Sequence, residues 1–482
     1  MIFLFSYISP SLVSFAVSLF TLVPFLGWFD TPCSDYKRSR WRHWSQIGGP
    51  APNPNAYLFE MWPDLREFDE DELCPTGFTY PDGRTAGLFS SYNAKTVDRH
   101  MKWMSDYNID GVFFQRFISQ VKQERCFEDK VLDNVRRGAE RHGRVFANMY
   151  DIGKADAAGK RELTVYNDLK KDWMYLVDVQ EITKSSSYLY HNGLPVLSLW
   201  GFGILNRPGE PAAVAELINW FKNNPIERYR VTLKGGVAKG WQDLGASAKK
   251  DPAWANVYRM FDVISPWSVG RMSNEAEADE FSKEVTIPNA RECESLGIDY
   301  MPVVFPGFSW SYRNLRDPSL QEPFNKYPRR GGKFFWRQMY NSISAFSPSV
   351  GKQVYVAMFD EVDEATAVMK AAESKDQVPT EGQFLTLDAD GYSVPSDWFL
   401  RLIRYATDLL RTEGTVPSSM PDFPSVTFQR TVSTHEPTPA PTQSPALAYG
   451  YAEETSERNH TPTSAPFITV PAVFPDMESL ER

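Results

Sequence analysis

The sequence predicts a single (β/α)8 barrel of the α/β class, with a disordered C-terminal tail. Three observations predict it. Between about residues 50 and 411, short apolar runs rich in β-branched and aromatic residues alternate with amphipathic stretches, about eight times over. The first run leads into Glu60-Met-Trp-Pro-Asp64, nothing like the Gly-rich turn that an open doubly wound sheet places there. No internal repeat of solenoid length occurs.

The expected strands are 56–60, 111–117, 145–150, 195–202, 229–233, 261–265, 300–305 and 354–359. Helical patterns follow or separate them at 94–107, 129–141, 211–222, 275–296, 334–346 and 396–410. In the first of these, Val97, Met101 and Met104 share one face. A chain of 482 residues holds such a barrel with segments to spare at both ends.

Residues 1–29 are almost wholly apolar and uncharged, long enough to span a bilayer or to serve as a signal peptide. The basic cluster Lys37, Arg38, Arg40, Arg42, His43 follows, within a linker expected over 30–49. A retained anchor would leave the main domain cytoplasmic by positive-inside logic, whereas cleavage would release it outside. The secretory pathway, secreted or membrane-anchored, is the reading favoured here. The tail, 412–482, holds 3 Arg, no Lys and 9 Asp or Glu, a balance of −6 out of the net −10, and 11 of the 35 Pro. Its Pro-rich runs fit disorder and a stalk, and it carries the acceptor pattern Asn459-His460-Thr461.

The acidic balance excludes a nucleic-acid partner, and a monomer is expected. The four Cys (Cys33, Cys74, Cys126, Cys293) show neither C-x-x-C spacing nor a nearby His at ligand spacing, so no structural zinc is expected. One or two disulfides in an oxidising compartment, or isolated buried thiols, both remain open.

A barrel carries its active site at the C-terminal ends of its strands. Read there, the sequence offers Gln115, Asp151, Trp200, Trp267, Trp310 and Asp360 as substrate-binding candidates. Any single Trp is more often a cap on the barrel core. Its recurrence at successive strand ends points to sugar rings, whose C–H faces stack on indoles. Asp151 could instead cap a helix, and Lys234 could bind a hydroxyl or pair with a rim carboxylate. After the last strand, Asp360, Glu361, Asp363 and Glu364 crowd four carboxylates into five positions. Repulsion and burial would raise at least one pKa there and set a proton donor beside an ionised partner. On a helical turn, Glu361 and Glu364 would share a face at roughly 5–6 Å, near the ~5–5.5 Å carboxyl spacing of retaining glycosidases. A solvated acidic loop, a calcium site or a metal-dependent hydrolase are the competing readings. The last is disfavoured because His100, His142 and His191 lie at no ligand spacing. The acidic run over 67–72 has no strand delivering it and is expected to be solvated surface.

Phe359-Asp-Glu-Val-Asp-Glu-Ala-Thr366 resembles the Trp-Asn-Glu-Trp-His-Glu-Gly-Thr motif of glycoside hydrolase family 99, the endo-α-mannosidases and endo-α-mannanases. The wider context is similar to family 71/99-like proteins, through Asn108-Ile-Asp-Gly-Val-Phe-Phe-Gln115, Phe335-Trp-Arg-Gln-Met-Tyr-Asn341 and Val356-Ala-Met-Phe-Asp-Glu-Val-Asp-Glu364. The likeness spans about 56–411. It implies a retaining hydrolase of a carbohydrate substrate, with no metal or organic cofactor. Glu361 matches the glutamate that helps the sugar 2-hydroxyl attack the anomeric carbon, and Glu364 matches the acid/base. From the residues alone, Glu361 as a direct nucleophile stays open. Phe359 and Val362 replace both motif tryptophans, Asp360, Asp363 and Ala365 replace Asn, His and Gly, and Asn148-Met-Tyr-Asp151 stands where family 99 has His-Ile-Glu-Pro-Tyr. The expected substrate is therefore an α-linked glycan or another plant, algal or fungal polysaccharide, not specifically a mannoside. A carbohydrate-binding barrel that has lost catalysis is the alternative.

Overall fold

The computed structural model describes residues 20–46, 49–153, 162–346, 353–412 and 415–422. Among them, parallel strands close into a (β/α)8 barrel. The strands are β1 (Phe20–Phe25), β2 (Gly111–Phe117), β3 (Val145–Asp151), β4 (Leu194–Trp200), β5 (Thr232–Val237) and β6 (Val263–Pro266). Next comes β7, in two pieces (Asp299–Tyr300 and Val303–Val304), and then β8 (Gln353–Val356). Pro302 explains the break in β7, because it has no N–H to give a ladder. The first piece pairs with β6 and the second with β8, so the interrupted strand still completes the ring.

The first strand corrects the expectation. Residues 56–60 form no strand, and the barrel begins at Phe20–Phe25, which pairs in parallel with both β2 and β8. A buried strand needs only about six apolar residues, and an uncharged run long enough to cross a bilayer supplies them equally well. Of the segment 1–29, residues 1–19 lie outside the described residues, while 20–29 are built into the barrel. The backbone of the 56–60 segment is used elsewhere. The N–H groups of Glu60 and Met61 both donate to the Val362 carbonyl, at 3.1 and 2.9 Å.

Nor is 30–49 a free linker. Trp41 and Trp44 are buried, and Cys33 is disulfide-bonded to Cys74 on an antiparallel hairpin (Leu73–Thr79 with Thr85–Phe89). Cys126 and Cys293 are free. The basic cluster is part of the wall: Arg42 is buried and bonds to Gln120 at 2.7 Å, and Arg40 pairs with Glu124.

The helices follow the sequence pattern with informative exceptions. α1 (Ala94–Asp106) is capped by Asn93, whose side chain accepts the Lys95 N–H, and it buries Val97, Met101 and Met104. α2 (Ile118–His142) starts a full three turns before the expected 129, because its polar first half still buries Ile118, Val121 and Phe127. It stops at Gly143, in the left-handed region at φ 62°. α3 (Glu162–Asp178) and the short α5 (Trp254–Tyr258) were not expected, whereas α4 (Pro211–Lys222) keeps its expected bounds, with proline in its first turn. The expected helix over 275–296 divides into α6 (Glu275–Phe281), a π-turn (Ser282–Thr286) and α7 (Ile287–Leu296). Pro288 cannot donate the i→i−4 bond, and the turn before it widens. α8 (Lys333–Ser344) and α9 (Trp398–Arg411) complete the ring. No helix among the described residues is long and apolar enough to cross a membrane. The tail beyond residue 422 lies outside the described residues.

The 67–72 run is not mere solvated surface. Glu72 is buried, pairs with Arg99 and accepts from the Thr96 hydroxyl at 3.0 Å. The neighbouring His100 is fully buried in a cage of Phe25, Phe68, Phe89, Trp103 and Phe359, with no hydrogen-bond partner on either ring nitrogen. Burial lowers its pKa to about 3. The unfolded chain therefore binds a proton below about pH 6.5 that the folded chain refuses until about pH 3, so stability falls with acidification across that window. At about pH 5 the loss is about 2 kcal/mol. His100→Phe is expected to flatten the dependence of unfolding free energy on pH between those limits, measured by urea titration at a series of pH values. An unchanged slope would show that another group carries it.

Candidate active site

The strand β8 runs straight into the acidic segment, which folds as a tight loop, not as the helical turn that would have aligned Glu361 with Glu364. The N–H groups of Thr366 and Ala367 both donate to the Glu361 carbonyl (3.2 and 3.0 Å), and the Met358 N–H donates to Thr366 (3.0 Å). The loop is held from outside as well. Ser309 N–H donates to the Glu364 carbonyl at 3.0 Å, and buried Arg329 reaches the carbonyls of Ala365 and Ala367 at 2.8 and 2.6 Å. The Arg329 guanidinium thus serves to hold the loop backbone, and it also donates to the Met61 sulfur at 3.0 Å.

Glu361 is 7% exposed and its carboxylate accepts from the Thr366 hydroxyl, while Glu364 is half-buried. Burial raises the Glu361 pKa well above the usual carboxylate range, and the charges of Glu364 and Asp363 add to that. Burial pushes Glu364 up to about 7, against the opposing pull of Arg313. Asp363 is fully buried and likewise raised, by burial and by Glu364. Near neutral pH, such a group of carboxyls holds protons that isolated carboxylates would have released, which is what acid/base work requires.

A second wall forms at the ends of β2 to β6. Gln115 donates to Asp151 at 3.3 Å, and Arg207 reaches the same carboxylate at 3.4 Å while its guanidinium lies 4.7 Å above the Trp200 ring. Trp267 meets Trp200 edge to face, with centroids 5.3 Å apart. Trp200 can lie across the mouth only because residue 236 is glycine: a Cβ there would come within 2.2 Å of the indole. Both indoles are half-buried. Among the described residues, Gln115 Oε1 and Trp200 Nε1 have no hydrogen-bond partner, which suits a polar ligand or water.

Tyr355, on β8, packs against Phe113 of β2, with ring centroids 5.9 Å apart. Its phenol is fully buried inside the barrel, and both Glu361 and Asp151 act on it, adding to the effect of burial in holding its pKa above the usual value. Thus Gln115, Asp151, Trp200, Trp267, Glu361 and Glu364 assemble around one end of the barrel.

Asp360 and Trp310 do not join them as binding groups. Asp360 is fully buried and its two oxygens accept the Leu26 and Gly27 N–H groups at 2.8 and 2.9 Å. Its role is to tie the end of β1 to β8, the need for which the sequence concealed by hiding β1. Trp310 is 1% exposed, with Arg313 packed on its ring at 4.4 Å. Glu60 is also sealed, holding the 309–312 segment through the Ser309 and Ser311 hydroxyls and the Tyr312 N–H. Lys234 sits inside the barrel with its ammonium 4.3 Å from the centre of the Tyr355 ring, so it pairs with no rim carboxylate. Burial lowers its pKa to about 7. No group of three or more metal-ligating side chains occurs among the described residues.

Sequence reasoning missed Tyr355, Arg207, Arg313, Tyr312 and His43. Only Tyr355 carried a signal, as an inward position on an expected strand. Arg207 and His43 lie on loops, and Tyr312 and Arg313 in a single short 3-10 turn (Ser311–Leu315), where no periodicity marks a direction.

No family model matches the chain, and no curated protein matches it. Among solved structures, it is similar to the GH99 endo-alpha-mannosidase from Bacteroides thetaiotaomicron in complex with bis-tris-propane: TM-score 0.56, 14% identity, covering 82% of this chain and 99% of that one. A second structure of the GH99 endo-alpha-mannosidase from that organism gives TM-score 0.56 and 13% identity over the same shares. The shared property is the fold.

Proposed function

We propose that this protein is a glycoside hydrolase that cleaves glycosidic bonds of a polysaccharide or glycan with retention at the anomeric carbon. The observation that supports the proposal is the set of raised carboxyls after β8, Glu361, Asp363 and Glu364, at the same end of the barrel as the Trp200–Trp267 pair. In the route that the motif resemblance supplies, Glu361 takes the 2-hydroxyl proton as that oxygen bonds to the anomeric carbon. Glu364 protonates the departing glycosidic oxygen, then takes a proton from the water that opens the anhydro ring, while Glu361 returns its proton to the 2-oxygen. The Cys33–Cys74 bond supports a place in an oxidising compartment.

The near-burial of Glu361, with an oxygen already held by Thr366, favours one second reading, a barrel that binds carbohydrate without turnover. One experiment tests both. The protein is incubated with a panel of polysaccharides and glycoprotein glycans, and the first-formed anomer is followed by proton NMR. Retention is expected. Inversion would overturn the two-step route, and saturable binding with no reducing ends released would favour the second reading.

A further inference from the structure

The basic cluster after β1, which the sequence offered only as a topology signal, delivers His43 to the acidic loop. Its Nδ1 lies 3.3 Å from Asp363 Oδ2. The ring is stacked on Trp28 at 3.8 Å and 5°, and Trp28 is stacked in turn on Phe117 at the end of β2. The backbone at His43 is left-handed, φ 63°, so the chain turns sharply to place it there. Asp363 is fully buried, and among the described residues its other oxygen has no side-chain partner, while the N–H groups of Asp363 and Glu364 act on the carboxyl to lower its pKa. The titratable groups around the contact include Arg42 beside His43, and Asp360, Glu361 and Glu364 on the loop with Asp363, with Arg313 acting on Glu364, and the buried Tyr312 phenol, on which Asp363 acts.

We propose that His43 is a positioning residue that donates its Nδ1–H to Asp363, offsets part of the proton affinity that burial gives that carboxyl, and so leaves more of the loop's protons to Glu361 and Glu364. The proposal rests on those two glutamates being the working pair. A pair sharing one proton offers an acid and a base together. A third carboxyl that competes for the proton leaves the acid empty part of the time. Asp363 is such a competitor, since burial and Glu364 both favour its protonated form. Burial and Arg42 disfavour the imidazolium, so the group facing Asp363 is a neutral donor that favours the carboxylate form without adding a second buried charge.

The test uses the full chain with ¹³C-labelled aspartate and infrared spectra of the protonated-carboxyl band against pH. His43→Phe keeps a ring for Trp28 and removes the donor. His43→Asn keeps an N–H donor near the Nδ1 position and suits a left-handed backbone. In His43→Phe, a label-shifted band that Asp363→Asn abolishes should titrate about one unit or more higher than in the parent. His43→Asn should restore the parent midpoint. An unchanged Asp363 midpoint in His43→Phe overturns the proposal, as does a His43→Asn variant that behaves like His43→Phe. Circular dichroism on each variant separates these results from misfolding. If the titration comes out as expected but Glu364→Gln keeps full turnover, the function reading fails and the proton arrangement stands.

Discussion

Glu364→Gln is expected to lower turnover of any glycan the protein cleaves by ~10²–10⁴-fold, the span that a positioned general acid/base contributes. The fold should survive. Glu364 is half-buried, and the structural bonds of its residue are made by the backbone carbonyl, which the substitution leaves in place. Removing its charge also relieves the repulsion on Glu361 and Asp363. The pair to compare is therefore turnover and thermal midpoint: turnover collapses and the midpoint holds or rises. In the parent, with Glu364 near 7, the acid limb needed for leaving-group protonation should fade as pH rises through about 7. A variant that keeps its rate would remove Glu364 from the chemistry.

The largest expected loss of stability comes from a neighbour of the site. Arg116 follows Gln115 on β2 and therefore points the other way, out to the helices. There it is fully buried against Asp172 at 2.8 Å and Asp129 at 2.9 Å, with Glu128 at 3.7 Å, and Tyr150 donates to Asp172 at 2.8 Å. Even with that cation present, burial raises Glu128 to about 7. Arg116→Met would leave these carboxylates buried around an apolar side chain, at a cost of ~3–5 kcal/mol in urea unfolding at neutral pH. Adding Asp172→Asn should recover part of it, because removing both partners costs less than orphaning one. A loss below about 1 kcal/mol would rank the cluster with surface ion pairs.

Much of the barrel was legible in the sequence because strand and helix are local patterns. β2 matches its expected bounds, and the expected segments for β3 to β8 all overlap observed strands. The acidic loop was legible for a related reason: four carboxylates in five positions after an apolar strand stand out within a short window. The opposite wall was half-legible. Strand ends named Gln115, Asp151, Trp200 and Trp267, but nothing marked Arg207, which arrives from a loop.

By itself, then, the sequence determined the alternation of elements, the fold class and the acidic loop, all properties of short windows. Tertiary structure alone decided which apolar run is the first strand, because Phe20 takes that place only by pairing with Gln353 and its neighbours with β2, both remote from it in sequence. It likewise decided that Asp360 ties strands together, that Trp310 is sealed, and that His43 meets Asp363. Each depends on which surface closes over which, a matter of non-local packing that no local period encodes.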